Sequence, residues 1–334
     1  MSDRPAARRP GATFAGVRPA PAAAAAAARP RRLAGLACLA ASGLLALHAQ
    51  PPAPVAPRPE PAPLRVILLG TGYPRPDPER AGPATAVAVG ERLFLVDAGR
   101  GVVLRLAATE YPLKAVRAVL LTHLHSDHTS GLPDLFATSW IFGRSAPLEL
   151  YGPRGTRSAA RALEQYFAAD VHIRRDLVER LPAAGATIQA HEIEAGLVFE
   201  DAEVRITAFA VDHRPVEPAF GYRFEARGRS VVISGDTRPS ENLIRHARGA
   251  DILVHEAYLP EHFDRVDTPE VAARLKRYHS TAEEAGQAAQ QAGVKLLVLT
   301  HLVPGGPEET YRERASRYFK GRIVVGRDLM RFEP

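Results

Sequence analysis

Within six residues, His123-Leu124-His125-Ser126-Asp127-His128, the chain places three imidazoles and a carboxylate directly after the apolar run Ala118 to Thr122. Neutral imidazole and carboxylate are suitable ligands for zinc and similar ions, and sites that do chemistry keep one coordination position open for water. A tight loop can direct alternate side chains to two ions. A histidine-rich surface loop is the bland reading, and it leaves unexplained why His213, Asp236 and His301 recur further on where apolar runs end. Two ions about 3.5 to 4 Å apart generate hydroxide at neutral pH and stabilise both the attacking and the departing oxygen of an in-line displacement. That chemistry suits a phosphate or sulfate ester.

The elements that must position these residues alternate short runs rich in Val, Ile and Leu with helical patterns, without an internal repeat of solenoid length. Strands are expected at Arg65 to Leu69, Ala84 to Val89, Leu93 to Val96, Ala118 to Thr122, Leu148 to Tyr151 and Glu203 to Val211. Later ones fall at Phe220 to Phe224, Ser230 to Ser234, Ile252 to His255, Leu296 to Thr300 and Ile323 to Val325. Helices are expected at Val102 to Ala108, Gly131 to Phe142, Thr156 to Ala168, Ser240 to Arg248 and Thr281 to Ala292, the last opening with capping-box spacing from Thr281 to Glu284. Several strands run straight into His, Asp or Gly, which gathers polar residues at one edge of a buried sheet.

HxHxDH after a strand resembles the signature of the metallo-β-lactamase superfamily, and the likeness runs from Leu64 essentially to the C-terminus. The segments Leu69 to Val87 and Leu95 to Gly99 are similar to that family's opening hairpins, with Asp97 bracing the loop behind the ligands or serving only as a hairpin-turn residue. The resemblance implies an α/β four-layer αββα sandwich of two mixed β-sheets with the metals at one edge. It implies two Zn2+, with Mn2+ or Fe as alternatives. His123, His125 and His213 would hold one ion, Asp127, His128 and His301 the other, and Asp236 would bridge them. Asp127 would also orient the hydroxide. The segments His255 to Tyr258 (HEAY) and Tyr278 to Thr281 (YHST) are similar to segments of tRNase Z-type enzymes, which makes His279 the donor to the leaving oxygen and Glu256 its orienting partner.

His255 reads as structural, and His172, His191, His246 and His262 as surface or core residues. Trp140, Phe136 and Phe142 read as core or pocket wall. Arg154 and Arg157, opening a helix after Tyr151-Gly152-Pro153, read as a solvated helix start, with contact to an anionic substrate as the alternative.

The formal net charge of +6 belongs to the leader: residues 1 to 49 hold seven arginines and one acid, 7 − 1 = +6, so the rest sums to 6 − 6 = 0. Residues 1 to 30, rich in Ala, Pro and Arg, are expected to be disordered. Residues 31 to 49 carry arginines and then an uncharged apolar run, the order of a signal peptide, with an anchor through residues 33 to 49 as the alternative. Residues 50 to 63, with seven prolines in fourteen positions, form a spacer. The lone Cys38 provides no disulfide framework. The hydrolase domain then spans residues 64 to 334.

Within the resemblance, two branches compete. Only 22 residues separate His213 from Asp236, too few for the long tRNA-gripping arm usual in bacterial tRNase Z. The neutral body offers no overall attraction to RNA, and a leader implies export, to the periplasm or outside the cell. The expectation is therefore an exported di-zinc hydrolase of small phosphodiesters or aryl sulfates. A small anionic ester is its partner, nucleic acid is not favoured, the membrane is met only through the N-terminal segment, and a homodimer is left open. The alternatives are a ribonuclease Z-like endonuclease that processes tRNA 3′ ends and a non-catalytic metal-binding protein of the same fold.

Overall fold

The computed structural model describes residues 64–263, 268–270, 273 and 276–334. The leader, its apolar run and the proline-rich spacer lie outside the described residues, as does the side chain of His262.

Two mixed seven-stranded sheets make the frame. One has the order β14-β1-β2-β3-β4-β5-β6, the other β13-β12-β11-β10-β9-β8-β7. The first contains β1 (Leu64–Gly70), β2 (Ala84–Val89), β3 (Arg92–Val96), β4 (Val116–Leu120), β5 (Leu148–Gly152), β6 (Ile188–Glu192) and β14 (Arg331–Phe332). The second contains β7 (Gly196–Glu200), β8 (Arg205–Ala210), β9 (Phe220–Ala226), β10 (Arg229–Ile233), β11 (Ile252–Tyr258), β12 (Leu296–Val303) and β13 (Arg322–Val325).

The alternation along β1 shows why these runs are apolar at nearly every position, half-buried Arg65 near the strand's start being the exception. Leu64, Val66 and Leu68 enter the core between the sheets, where they join Phe224, Val231 and Val254. Ile67 and Leu69 face the other way, into a second core with Val102, Leu135 and Phe136. A strand buried on both faces must be hydrophobic throughout. Val102 lies in α1 (Val102–Ala107), and Leu135 and Phe136 lie in α3 (Leu132–Ile141), which follows the single turn α2 (Ser126–Thr129). α4 (Thr156–Tyr166) covers the same face, and α5 (Ala168–His172) continues from it.

The outer face of the second sheet is covered by α6 (Glu241–Ala247), α8 (Ala282–Ala292) and α9 (Glu308–Ser316), with α7 (Pro260–Phe263) after β11. Helix, sheet, sheet, helix is the four-layer sandwich expected. The capping box at α8 is present: Thr281 Oγ1 accepts the Glu284 N–H at 3.1 Å, and Glu284 Oε2 accepts the Thr281 N–H at 2.8 Å.

The expected elements differ in detail. β4 ends at Leu120 and not at Thr122, because the Thr122 N–H leaves the ladder to donate to Asp97 Oδ1 at 2.8 Å. β6, β7, β14 and α9 were not expected at all. Phe142 is 67% exposed, so it is no part of the core that buries Trp140 and Phe136. β9 and β10 form a hairpin that fills the interval between His213 and Asp236.

Candidate metal centre

Strand ends from both sheets deliver the chemistry-bearing residues to one edge. The loop after β4 carries His123, His125, Asp127 and His128, with the last two on α2. Gly99 makes that loop possible, since a Cβ there would lie 2.6 Å from the Asp127 carbonyl oxygen. His213 follows β8. Asp236 follows β10 through Gly235, whose φ of +61° suits a residue without Cβ.

His301 is placed by a β-bulge. Glu256 of β11 pairs with Thr300 of β12 and Ala257 with Leu302, which leaves His301 as the extra residue, at φ 44°. A bulge turns one side chain out of the ladder, so β12 continues to Val303 past the residue expected to end it.

The tautomers of three imidazoles are set from behind. His128 Nδ1 lies 2.8 Å from Asp97 Oδ2, and His123 Nδ1 lies 2.9 Å from Thr122 Oγ1, which itself donates to Asp97 at 2.9 Å. His213 Nδ1 meets the Tyr278 carbonyl at 2.9 Å. With protons held on Nδ1, all three rings turn an Nε2 lone pair to the centre. Asp97 therefore does more than close a hairpin. It sits at φ 64°, a backbone conformation uncommon for a residue other than glycine.

The front of the site is a convergence of acceptors. His123 Nε2 and His213 Nε2 lie 3.0 and 3.4 Å from His125 Nδ1. Asp236 Oδ2 lies 3.3 Å from His128 Nε2, 3.5 Å from His301 Nε2, and 3.9 Å from both His123 Nε2 and His213 Nε2. Asp127 Oδ2 is 3.3 Å from His301 Nε2 and 3.6 Å from His128 Nε2. The ligand atoms of His123, His125, His213 and Asp236 fall within 4.8 Å of one another, as do those of Asp127, His128 and His301.

All seven sequence-predicted ligand positions are thus brought together, and Asp236 belongs to the first group while touching the second. His125 is half-buried, and the other six are buried. His128 Nε2, which faces this group, is buried without a hydrogen-bond partner among the described residues. Nitrogen lone pairs facing one another and orphaned buried nitrogens are costly unless a cation lies between them, so the donor set fits divalent metal.

Electrostatics point the same way. Burial drives His213 down to about 4 and His123 well below the usual imidazole range, so both are unprotonated ligands at neutral pH. Burial also opposes charge on His128 and His301, but Asp236 with Asp97 lifts the first far above its ordinary value, and Asp236 with Asp127 lifts the second to about 9. A group of carboxylates that raises its neighbouring imidazoles this far calls for positive charge.

A further pair stands behind Asp236. His279 Nδ1 lies 2.7 Å from Glu256 Oε2 and 3.8 Å from Asp236 Oδ2, while Glu256 Oε1 accepts the Thr237 N–H at 2.6 Å. Burial pushes Glu256 well above the carboxylate range, with Asp236 adding to the rise, and pushes His279 down to about 4. Both directions favour an uncharged pair, with a carboxyl O–H donating to Nδ1 and the remaining ring proton on Nε2. His255 lies buried with Nδ1 2.7 Å from the Glu256 carbonyl and holds that strand end. His191 pairs with Glu149, His172 with Asp176, and His246 stacks on Phe209.

Residues 92–302 match the beta-lactamase superfamily domain, and the chain belongs to that superfamily. It is a metal-dependent hydrolase of ester bonds. Over 280 residues it is 43% identical to "Ribonuclease Z" of Mycobacterium bovis (strain BCG / Pasteur 1173P2), across 81% of this chain and 98% of that protein. Human tRNase Z, short form, shares 25% identity and a TM-score of 0.62 over 80% of this chain and 98% of its own. The metallo-beta-lactamase fold protein YhfI from Bacillus subtilis superposes with a TM-score of 0.64 at 21% identity, over 82% of this chain and 100% of its own, which speaks to the fold alone.

These relatives overturn two expectations. An exported hydrolase of small phosphodiesters or aryl sulfates is not what chains at 41–43% identity are named for, and a preference against nucleic acid conflicts with their name. Two premises misled. A short interval between His213 and Asp236 excludes one kind of arm and not the reaction, and a net charge summed over the body does not describe the field at one edge of it.

Proposed function

We propose that this chain is a ribonuclease Z-type endonuclease that cuts precursor tRNA on the 3′ side. In this reading His123, His125 and His213 would hold one divalent ion and Asp127, His128 and His301 a second, with Asp236 available to both, and zinc is a metal that these ligands suit. When bound, the two ions lower the pKa of water and supply positive charge to the phosphodiester oxygens.

The observation that carries the reading is the placement of the Glu256–His279 pair, which meets the same Asp236 oxygen that the ligand imidazoles surround. A nucleophile side and a leaving-group side can therefore flank the same carboxylate. On the first side stands Asp127. Burial works against its charge, but His128 and His301 hold it below the usual carboxylate range, so it accepts a hydrogen bond from water at neutral pH. Water adds to phosphorus as the P–O3′ bond breaks, and the proton that the water loses passes to Asp127 and on to solvent. His279 gives its Nε2 proton to the departing O3′, and the Glu256 proton passes to Nδ1 over 2.7 Å. His279 is the proton donor, and Glu256 holds and replenishes it.

The test uses the full chain with defined zinc content, a 3′-extended precursor tRNA and p-nitrophenyl sulfate. Cleavage of the tRNA, reduced about a thousand-fold by Asp127→Ala, is the expected result. Turnover of the sulfate with the tRNA left intact would refute the proposal.

A further inference from the structure

Resting on that reading, we propose that Arg154, Arg157 and Arg161 form a contact row for the phosphate backbone of the RNA, running away from the metal centre along the start of α4. All three are exposed. Arg157 and Arg161, four residues apart, share one face of α4, about 6 Å apart along the axis, and Arg154 stands in the turn that leads into the helix. Among the described residues none of the three guanidinium groups forms an ion pair within 4 Å, although arginines elsewhere on this surface are commonly paired.

Two nearby acids, Glu192 and Glu164, are turned to backbone N–H groups, and the bond from the Gly155 N–H, with help from Arg157 and Arg161, holds Glu192 below the usual carboxylate range. Glu192 Oε1 accepts the backbone N–H groups of Gly155 and Arg157 at 2.8 and 3.3 Å, and Glu164 Oε1 accepts the Ile188 N–H at 2.7 Å. The row keeps a local excess of positive charge in a body whose net charge is zero.

Its position connects it to the chemistry. A Cβ on Gly155 would come within 2.9 Å of Leu124 Cδ1, and Leu124, 37% exposed, sits between His123 and His125. The row thus begins beside the loop that carries the ligand imidazoles. Guanidinium groups at and just before a helix start, with no ion pair within 4 Å among the described residues, suit successive phosphates, which position a nucleic acid without reading its sequence. A single small anion would engage one of them at most.

The experiment compares the zinc-loaded full chain with the triple variant Arg154→Gln, Arg157→Gln, Arg161→Gln, and with Arg248→Gln, whose exposed arginine lies at the opposite end of the second sheet. KM for 3′-extended precursor tRNA and the slope of log(kcat/KM) against log salt are measured, beside hydrolysis of bis(p-nitrophenyl) phosphate. The triple variant is expected to raise KM for the tRNA ten-fold or more and to flatten the salt slope by about two units, as loss of three phosphate contacts requires. Arg248→Gln should do neither. Parent-like KM and salt slope in a triple variant that still cuts tRNA would overturn the contact row and leave the ribonuclease reading standing. Equal loss on the small diester would also overturn it, by showing a structural role. A parent enzyme that cleaves only the small diester would overturn both readings.

Discussion

Asp97→Asn tests the idea that the centre is organised from behind. The Asp97 carboxylate is 4% exposed and makes four contacts: the Thr122 N–H and hydroxyl on Oδ1 at 2.8 and 3.1 Å, and the same hydroxyl and His128 Nδ1 on Oδ2 at 2.9 and 2.8 Å. An asparagine keeps one acceptor for Thr122 but turns an NH2 toward His128. The imidazole must then accept at Nδ1 and carry its proton on Nε2, the buried atom that otherwise has no partner. A protonated Nε2 is no ligand. The lost charge-assisted hydrogen bond is worth about 1.5 to 3 kcal/mol, and the ring reorientation corresponds to a 10- to 100-fold loss of metal affinity, roughly 1.4 to 2.8 kcal/mol. Competition for zinc with a chromophoric chelator measures this directly. Metal affinity within two-fold of the parent, in a variant that folds, would refute the tautomer argument.

Glu256→Gln should lower kcat on the tRNA ten-fold or more with zinc content unchanged, because Gln cannot return a proton to His279; unchanged kcat would remove Glu256 from the relay. Chelation of the metal should lower thermal stability by about 3 kcal/mol at saturating zinc, read as a Tm that depends on zinc concentration. Arg144 is buried with no carboxylate partner, pushed down to about 10 by burial, and donates to the Phe136 and Ala146 carbonyls and the Ser139 hydroxyl. Arg144→Met should therefore cost about 2 to 3 kcal/mol, and calorimetry would show it as a Tm lowered by roughly 5 to 10 °C. Burial opposes charge on Asp251, but Lys295 at 2.6 Å and the Ser230 N–H at 2.8 Å hold its pKa below the ordinary value. Its contribution, about 1 kcal/mol, is present above about pH 4 and lost as pH falls through the depressed pKa. Denaturant titrations of parent and Asp251→Asn should thus differ at pH 7 and converge toward pH 3.

What was legible in the sequence was local. His123, His125, Asp127 and His128 declare their chemistry within six positions, and double-faced strands such as β1 declare themselves by a near-continuous apolar run, broken there only at Arg65. Elements stabilised by little burial were hidden: α9 buries only Tyr311 and Ala315 and shows no apolar stripe, and β6 and β7 are sheet-edge strands with mostly exposed or half-buried residues. The bulge at His301 could not be read, since it depends on pairing with Glu256 and Ala257 of another strand. The role of Asp97 behind the ligands came from the family resemblance, with a hairpin-turn residue left open, because its partners Thr122 and His128 lie 25 and 31 residues away. The substrate expectation rested on charge summed over the body, which carries no information on where on the surface the charge lies.

The account stands most directly on the fate of water and proton at the cut bond. Precursor tRNA cleaved by the zinc-loaded full chain in 18O-labelled water should yield a trailer whose 5′-phosphate carries one 18O and a tRNA ending in a free 3′-hydroxyl. A 2′,3′-cyclic phosphate on the tRNA, or cleavage that persists when metal is chelated, would contradict it.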